Sequence, residues 1–303
     1  MWQQLLEELK KGETKALARV ISLVENEQEG YEPFLQQLPH NEQTKIIGLT
    51  GPPGAGKSTL VDALIGELVA DNKKVAVLCV DPSSPFNLGA VLGDRIRMSN
   101  WYTNPNVFIR SLATRGSMGG LHPKIIEITE VIKAAAFDYI IVETVGVGQS
   151  EIEIAGLADC TVVVVVPEAG DEVQTMKAGL MEIADVFVVN KSDRPDADAF
   201  VKSLRLMLAP AFHQHWHEIK VMKTVASSGT GVAELYKTIQ SFLQQNLVNE
   251  KKTWLLAERA YYLIQQRRMK GITKEGLRSL IQNHSPQQPF NLYRFVSGYT
   301  GQN

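Results

Sequence analysis

Cysteine is scarce in this chain: there are two in 303 residues, Cys79 and Cys160, each in or beside an apolar strand-like run. No Cys-x-x-Cys pair exists, which excludes the common structural zinc modules, and two such thiols fit core packing in a reducing compartment. Basic excess is also missing. With 31 Lys and Arg against 33 Asp and Glu, the formal net charge is −2 and offers no electrostatic footprint for nucleic acid. Long apolar runs are absent too, since the most apolar stretch, Val162 to Val166, is far too short to span a bilayer. The opening Met1-Trp-Gln-Gln-Leu-Leu-Glu-Glu-Leu-Lys carries acids early and has no signal-peptide core. Internal repeats and low-complexity tracts are lacking. A cytoplasmic enzyme or regulator is expected, with hydrophobic residues at 44%, enough for one large α/β core with helical additions.

What the chain does have begins at Gly51-Pro-Pro-Gly-Ala-Gly-Lys57-Ser58, a G-x-x-x-x-G-K-S phosphate-binding loop. It follows the apolar run Ile46–Leu49 and precedes Ser58 to Leu68, where apolar residues recur at helical spacing. Backbone N–H groups from Gly54, Ala55, Gly56, Lys57, Ser58 and Thr59 are placed to wrap phosphates at a helix N-terminus, whose dipole favours the anion. Lys57 would reach the β- and γ-phosphates, and the Ser58 hydroxyl would ligate Mg²⁺.

Around this loop the pattern alternates. Strand-like runs at Ile46–Leu49, Val75–Val80, Val107–Ile109, Tyr139–Val142, Thr161–Val166, Val186–Val189 and Ile219–Val225 are separated by helix-like segments at Lys124–Ala136, Val173–Ile183, Ala197–Leu208 and Val232–Leu243. This predicts a three-layer α/β P-loop NTPase with a mainly parallel sheet and N- and C-terminal helical extensions. Residues 1–43 read as a helical prefix, 44–248 as the nucleotide domain and 249–303 as a C-terminal helical segment.

Asn190-Lys191-Ser192-Asp193 follows the strand Val186–Val189 and has the N-K-x-D form of guanine-binding proteins. The Asp193 carboxylate can accept from the ring N–H and the exocyclic amino group of guanine, donors that adenine does not present there. Backbone groups of Ala226 and Ser227, after the next strand, are candidates for the guanine carbonyl. A third element, Glu143-Thr-Val-Gly146-Val-Gly-Gln149-Ser150, stands where such proteins carry D-x-x-G. Glu143 at a strand tip can hold Mg²⁺, and Gly146 leaves an N–H for the γ-phosphate. Val147 occupies the place of a water-orienting glutamine, so hydrolysis is expected to be slow alone and to need Gln149, another segment or a partner.

Together with Val80-Asp81-Pro-Ser-Ser-Pro85, Leu92-Gly-Asp94-Arg-Ile-Arg-Met98, Phe108-Ile-Arg-Ser, Thr114-Arg115-Gly-Ser-Met-Gly-Gly120-Leu and Pro167-Glu-Ala-Gly170-Asp171-Glu-Val-Gln174-Thr-Met-Lys177-Ala-Gly, these strings closely resemble P-loop GTPases of the MeaB/ArgK type. The resemblance runs from about Thr44 to Ile281. It implies a chaperone of adenosylcobalamin-dependent methylmalonyl-CoA mutase, a homodimer built with its C-terminal helices, in which GTP binding and hydrolysis to GDP gate cofactor loading and protection. It also implies that Asp81 and Asp94 join Glu143 and Ser58 around Mg²⁺, and that Gly170, Asp171, Gln174 and Lys177 belong to an element coupling nucleotide state to the mutase. From the residues alone, Asp81 before Pro82 also suits a plain turn, and Lys177 a solvated helix face. Alternative readings are a nickel-type metal-delivery GTPase, for which His213, His215 and His217 are candidate ligands although the cluster more readily reads as a solvated surface, and a P-loop small-molecule kinase. Missing cysteine ligands weigh against the former, and the N-K-x-D element against the latter.

Overall fold

In the computed structural model the described residues are 1–81, 98–115, 121–146, 150–169, 179–208, 219–245, 250–283 and 290–299. Seven strands form one sheet: β1 Lys45–Thr50, β2 Val75–Asp81, β3 Val107–Ala113, β4 Tyr139–Glu143, β5 Cys160–Val165, β6 Val186–Val189 and β7 Lys220–Lys223. Every neighbouring pair is parallel, in the order β3-β2-β4-β1-β5-β6-β7. β2 and β5 are buried throughout, and β4 from Ile140 onward, which explains their apolar runs in place of alternation. The strand order reverses at β1, whose carboxyl end therefore opens on the crevice where ligands of such sheets bind.

The helices in chain order are α1 Trp2–Lys10, α2 Thr14–Glu25, α3 Tyr31–Leu35, α4 Lys57–Ala70, α5 Ile125–Ala134, α6 Ser150–Leu157, α7 Gly179–Ile183, α8 Ala197–Leu208, α9 Val232–Leu243, α10 Glu250–Arg268, α11 Lys274–Gln282 and α12 Leu292–Gly298. α4 and α9 cover one face of the sheet, where Leu60, Leu64, Leu235 and Ile239 pack on Ile47, Leu49, Ile141 and Val162. On the opposite face a side chain at Gly48 would run into Ile154 and Ala158, so α6 lies directly against β1 there.

The chain divides into two compact units, Met1–Thr253 and Trp254–Asn303. The helical prefix belongs to the first. α2 buries Leu17, Val20, Ile21 and Val24 and packs on α5, while the Trp2 ring sits 4.8 Å from that of Phe34. β3 runs four residues beyond the apolar triplet Val107–Ile109, because the polar Arg110 finds partners in Ser22 and Glu25 of α2. Arg115 likewise donates to the Glu25 carbonyl and to Asn26. In the second unit α11 and α12 are capped by Thr273 and Asn291 and bury no residue. No helix among the described residues is long and apolar enough to cross a membrane.

Candidate nucleotide site

β1 delivers the chain to the turn Gly51–Gly56, which α4 follows at once. Gly51, Gly54 and Gly56 have φ of +136°, +76° and +87°, a region closed to most side chains. A Cβ on Gly51 would come within 2.0 Å of the Val164 carbonyl oxygen, and one on Gly56 within 2.4 Å of Asn190 Nδ2. Gly56 gives α4 no capping side chain, so the first N–H groups of this 14-residue helix face the turn uncapped, as anion binding requires.

The Lys57 ammonium is buried and donates to the carbonyls of Gly51 at 2.9 Å and Pro52 at 3.1 Å. Beside it the Ser58 hydroxyl donates to Glu143 Oε1 at 2.7 Å, with Ser58, Glu143 and Asp81 all 5% exposed or less. Glu143 ends β4 and Asp81 ends β2, its neighbour in the sheet, where Cys79 pairs with Glu143. A hydroxyl and two buried carboxylates at adjacent strand tips are hard oxygen donors of the kind Mg²⁺ takes, so these residues fit that ion. Gly146, with φ of +81°, passes so close that a Cβ would meet Gly51 O at 2.3 Å and Lys57 Nζ at 2.5 Å. The turn after Glu143 is thereby pressed onto the phosphate loop.

Asn190 spends its side chain on protein groups. Its Nδ2 donates to Ala55 O at 2.9 Å, and its Oδ1 accepts from Thr224 Oγ1 and Ala226 N, each at 3.1 Å. Lys191, at φ +55°, donates from Nζ to Gly54 O at 2.8 Å, and Ser192 N donates to Thr224 O. Three loops are thus tied at one point, leaving Asp193 exposed on the rim and Ala226 and Ser227 in a short 3₁₀ turn next to it. Thr59 lies in the first turn of α4. Asp94, Gln149, Gly170, Asp171, Gln174 and Lys177 lie outside the described residues, as do Val147, His213, His215 and His217. Among the described residues no group of three or more His, Cys, Asp or Glu is placed to hold a metal ion.

The sequence matches, over residues 17–281, the family described as methylmalonyl Co-A mutase-associated GTPase MeaB. The chain belongs to the MeaB family. A putative GTPase of Pyrococcus horikoshii is 46% identical over 260 residues, covering 82% of each chain. GTPase ArgK of Escherichia coli is 36% identical, covering 82% of this chain and 80% of that one. The mitochondrial methylmalonic aciduria type A homolog of Mus musculus is 35% identical over 80% of this chain and 63% of its own. Among solved structures, the LAO/AO transport system kinase superposes with a TM-score of 0.66 at 28% identity, covering 93% of this chain and 87% of that one.

In this MeaB-family GTPase, sequence reasoning missed two connections of the site. Asn190 reads as a nucleotide contact in the motif, whereas its amide holds Ala55 and Ala226 in place; only the pairing of loops 135 residues apart reveals it. The hydroxyls of Thr144 and Thr50, 3.0 Å apart behind Glu143, also carried no signal, since threonine in a strand is ordinary.

Proposed function

We propose that this MeaB-family GTPase is a chaperone that gates adenosylcobalamin loading and protection of a cobalamin-dependent acyl-CoA mutase of the methylmalonyl-CoA mutase type. Support comes from the family description and from the name of the mouse relative, and the observation that carries the switching part is Gly146 pressed against Gly51 and Lys57. In this reading GTP lies along the N–H groups of Gly54 to Thr59, and Lys57 turns from the Gly51 and Pro52 carbonyls to the β- and γ-phosphates. Ser58 and Glu143, with Asp81 and Asp94, would hold Mg²⁺, which would supply neutralisation of the phosphate charge. Gly146 donates its N–H to the γ-phosphate, and hydrolysis removes that hydrogen bond from the turn. Asp193 selects guanine, and Ala226 and Ser227 approach its carbonyl.

With Val147 after the glycine, hydrolysis is slow until Gln149 or the mutase orients the water. Gly170, Asp171, Gln174 and Lys177, just beyond β5, carry the nucleotide state to the mutase. The working form is a cytoplasmic homodimer assembled through residues 249–303. Trp254, Leu256, Tyr261, Tyr262 and Ile264 are each about half exposed or more, and a small helical unit whose last two helices bury nothing needs a partner surface. A pull-down of a purified mutase with GDP and with a non-hydrolysable GTP analogue tests the proposal. Nucleotide-dependent retention is expected; no retention in either state would refute it.

A further inference from the structure

The last residue of β1, Thr50, and the residue that follows β4, Thr144, lie side by side. The β1–β4 register runs Gly48 to Val142 and Leu49 to Glu143, and the Thr144 N–H donates to the Leu49 carbonyl at 3.0 Å. Side chains alternate along a strand, so Leu49 and Glu143 face α4 while Thr50 and Thr144 face the α6 side with Gly48. Both threonines are essentially buried, at 0% and 2% exposure, and the Thr144 hydroxyl donates to the Thr50 hydroxyl at 3.0 Å. Valine would be the ordinary occupant of such positions, as in the run Val162–Val165 of β5 next door. Two hydroxyls differ from two methyls in one respect that matters here: methyl carbons in contact stand about 4 Å apart, roughly 1 Å wider than this bond.

The two strands lead directly into the chemistry. Thr50 precedes Gly51, the start of the phosphate loop, and Thr144 follows Glu143 and stands two residues before Gly146. The paired register ends at Leu49 and Glu143, so the hydroxyl bond is the next tie before Gly146 passes Gly51 with no room for a Cβ.

We propose that Thr50 and Thr144 are positioning residues for GTP hydrolysis, their hydroxyl–hydroxyl bond setting the spacing between the phosphate loop and the Glu143–Gly146 turn. This rests on the reading of Ser58 and Glu143 as the Mg²⁺ holders and of Gly146 as the γ-phosphate donor. The two threonines touch neither nucleotide nor metal.

The test uses Thr50→Val, Thr144→Val, the double valine variant and Thr144→Ser, with native protein and Glu143→Gln alongside. Each is followed by urea unfolding and by steady-state GTP hydrolysis. Either single valine orphans one buried hydroxyl and lowers the unfolding midpoint, whereas the double variant, with both hydroxyls gone, returns toward the native midpoint. Its kcat is nonetheless expected to stay down by roughly 10- to 100-fold, the cost of about 1 Å of misplacement, with the GTP KM changed less than about threefold. Thr144→Ser keeps the hydroxyl and should keep native kcat within about threefold. A double valine variant with native kcat overturns the proposal, as does a kcat that merely follows the unfolding midpoint across the series. If Glu143→Gln hydrolyses GTP at the native rate, the metal-holding reading falls and the positioning role falls with it. If Glu143→Gln is inactive while the double valine variant is native-like, the positioning role fails alone.

Discussion

Replacing Asn190 by alanine removes three hydrogen bonds from one buried point: Nδ2 to Ala55 O at 2.9 Å, and Thr224 Oγ1 and Ala226 N to Oδ1 at 3.1 Å. At about 1 kcal/mol net for each, the loss is about 3 kcal/mol, because the groups left behind stay largely buried without a replacement partner. With a urea slope on the order of 3 kcal/mol/M, that amounts to a midpoint shift on the order of 1 M. The same bonds align the phosphate turn with the turn at Ala226 proposed to approach the guanine carbonyl. If nucleotide binding must restore even half of that alignment, about 1.5 kcal/mol, GDP affinity falls roughly tenfold. Asn190→Asp is a sharper probe, since it keeps the acceptor for Ala226 N–H but turns a carboxylate oxygen toward the Ala55 carbonyl. Urea unfolding and calorimetric GDP titration of both variants provide the check. An alanine variant with a native midpoint and GDP affinity within twofold of native would show that Asn190 does not brace these loops.

Two further outcomes follow from the geometry. Asp193→Asn should erase most of the preference for GTP over ATP in competition binding, since it removes the carboxylate proposed to accept both guanine donors; an unchanged preference would place base selection elsewhere. Asp185, whose Oδ2 accepts from Thr161 N–H at 2.7 Å, has its carboxyl pushed up from the usual 3.8 to about 6 by burial. A raised folded-state value means the native state binds the proton more tightly, so this group's contribution to stability falls as pH rises from about 4 to about 6 and stays low above. Asp185→Asn should therefore stabilise the protein at pH 8 by on the order of 2 kcal/mol, Lys251 and solvent screening offsetting part of the penalty, and leave it little changed at pH 4. Equal midpoints at pH 8 would contradict the burial argument.

Much of the architecture was legible because parallel strands buried on both faces announce themselves. Val186–Val189, Ala197–Leu208 and Val232–Leu243 appear with the expected bounds, and the phosphate loop follows β1 as its glycines require. What sequence patterns did not give were pairings between distant polar residues. Arg110 and Ser111 interrupt the apolar run of β3, so the sequence pattern ends at Ile109; the strand continues because α2 brings Ser22 and Glu25 to Arg110. The helical prefix therefore reads as an appendage in sequence and packs as part of the first unit in the fold. Within the site, Lys57, Ser58, Glu143 and Gly146 were found by motif spacing and do converge. The struts behind them, Asn190 to Ala55 and Thr144 to Thr50, depend on chain crossings that no local pattern encodes.

The proposal that the loop from Gly51 to Ser58 senses a slow, mutase-dependent hydrolysis is tested most directly by the single-turnover rate of GTP hydrolysis by the purified protein, alone and with saturating adenosylcobalamin-dependent mutase. A slow isolated rate that rises at least tenfold with the mutase is predicted. Rapid hydrolysis by the isolated protein, or the same rate with and without the mutase, would contradict it.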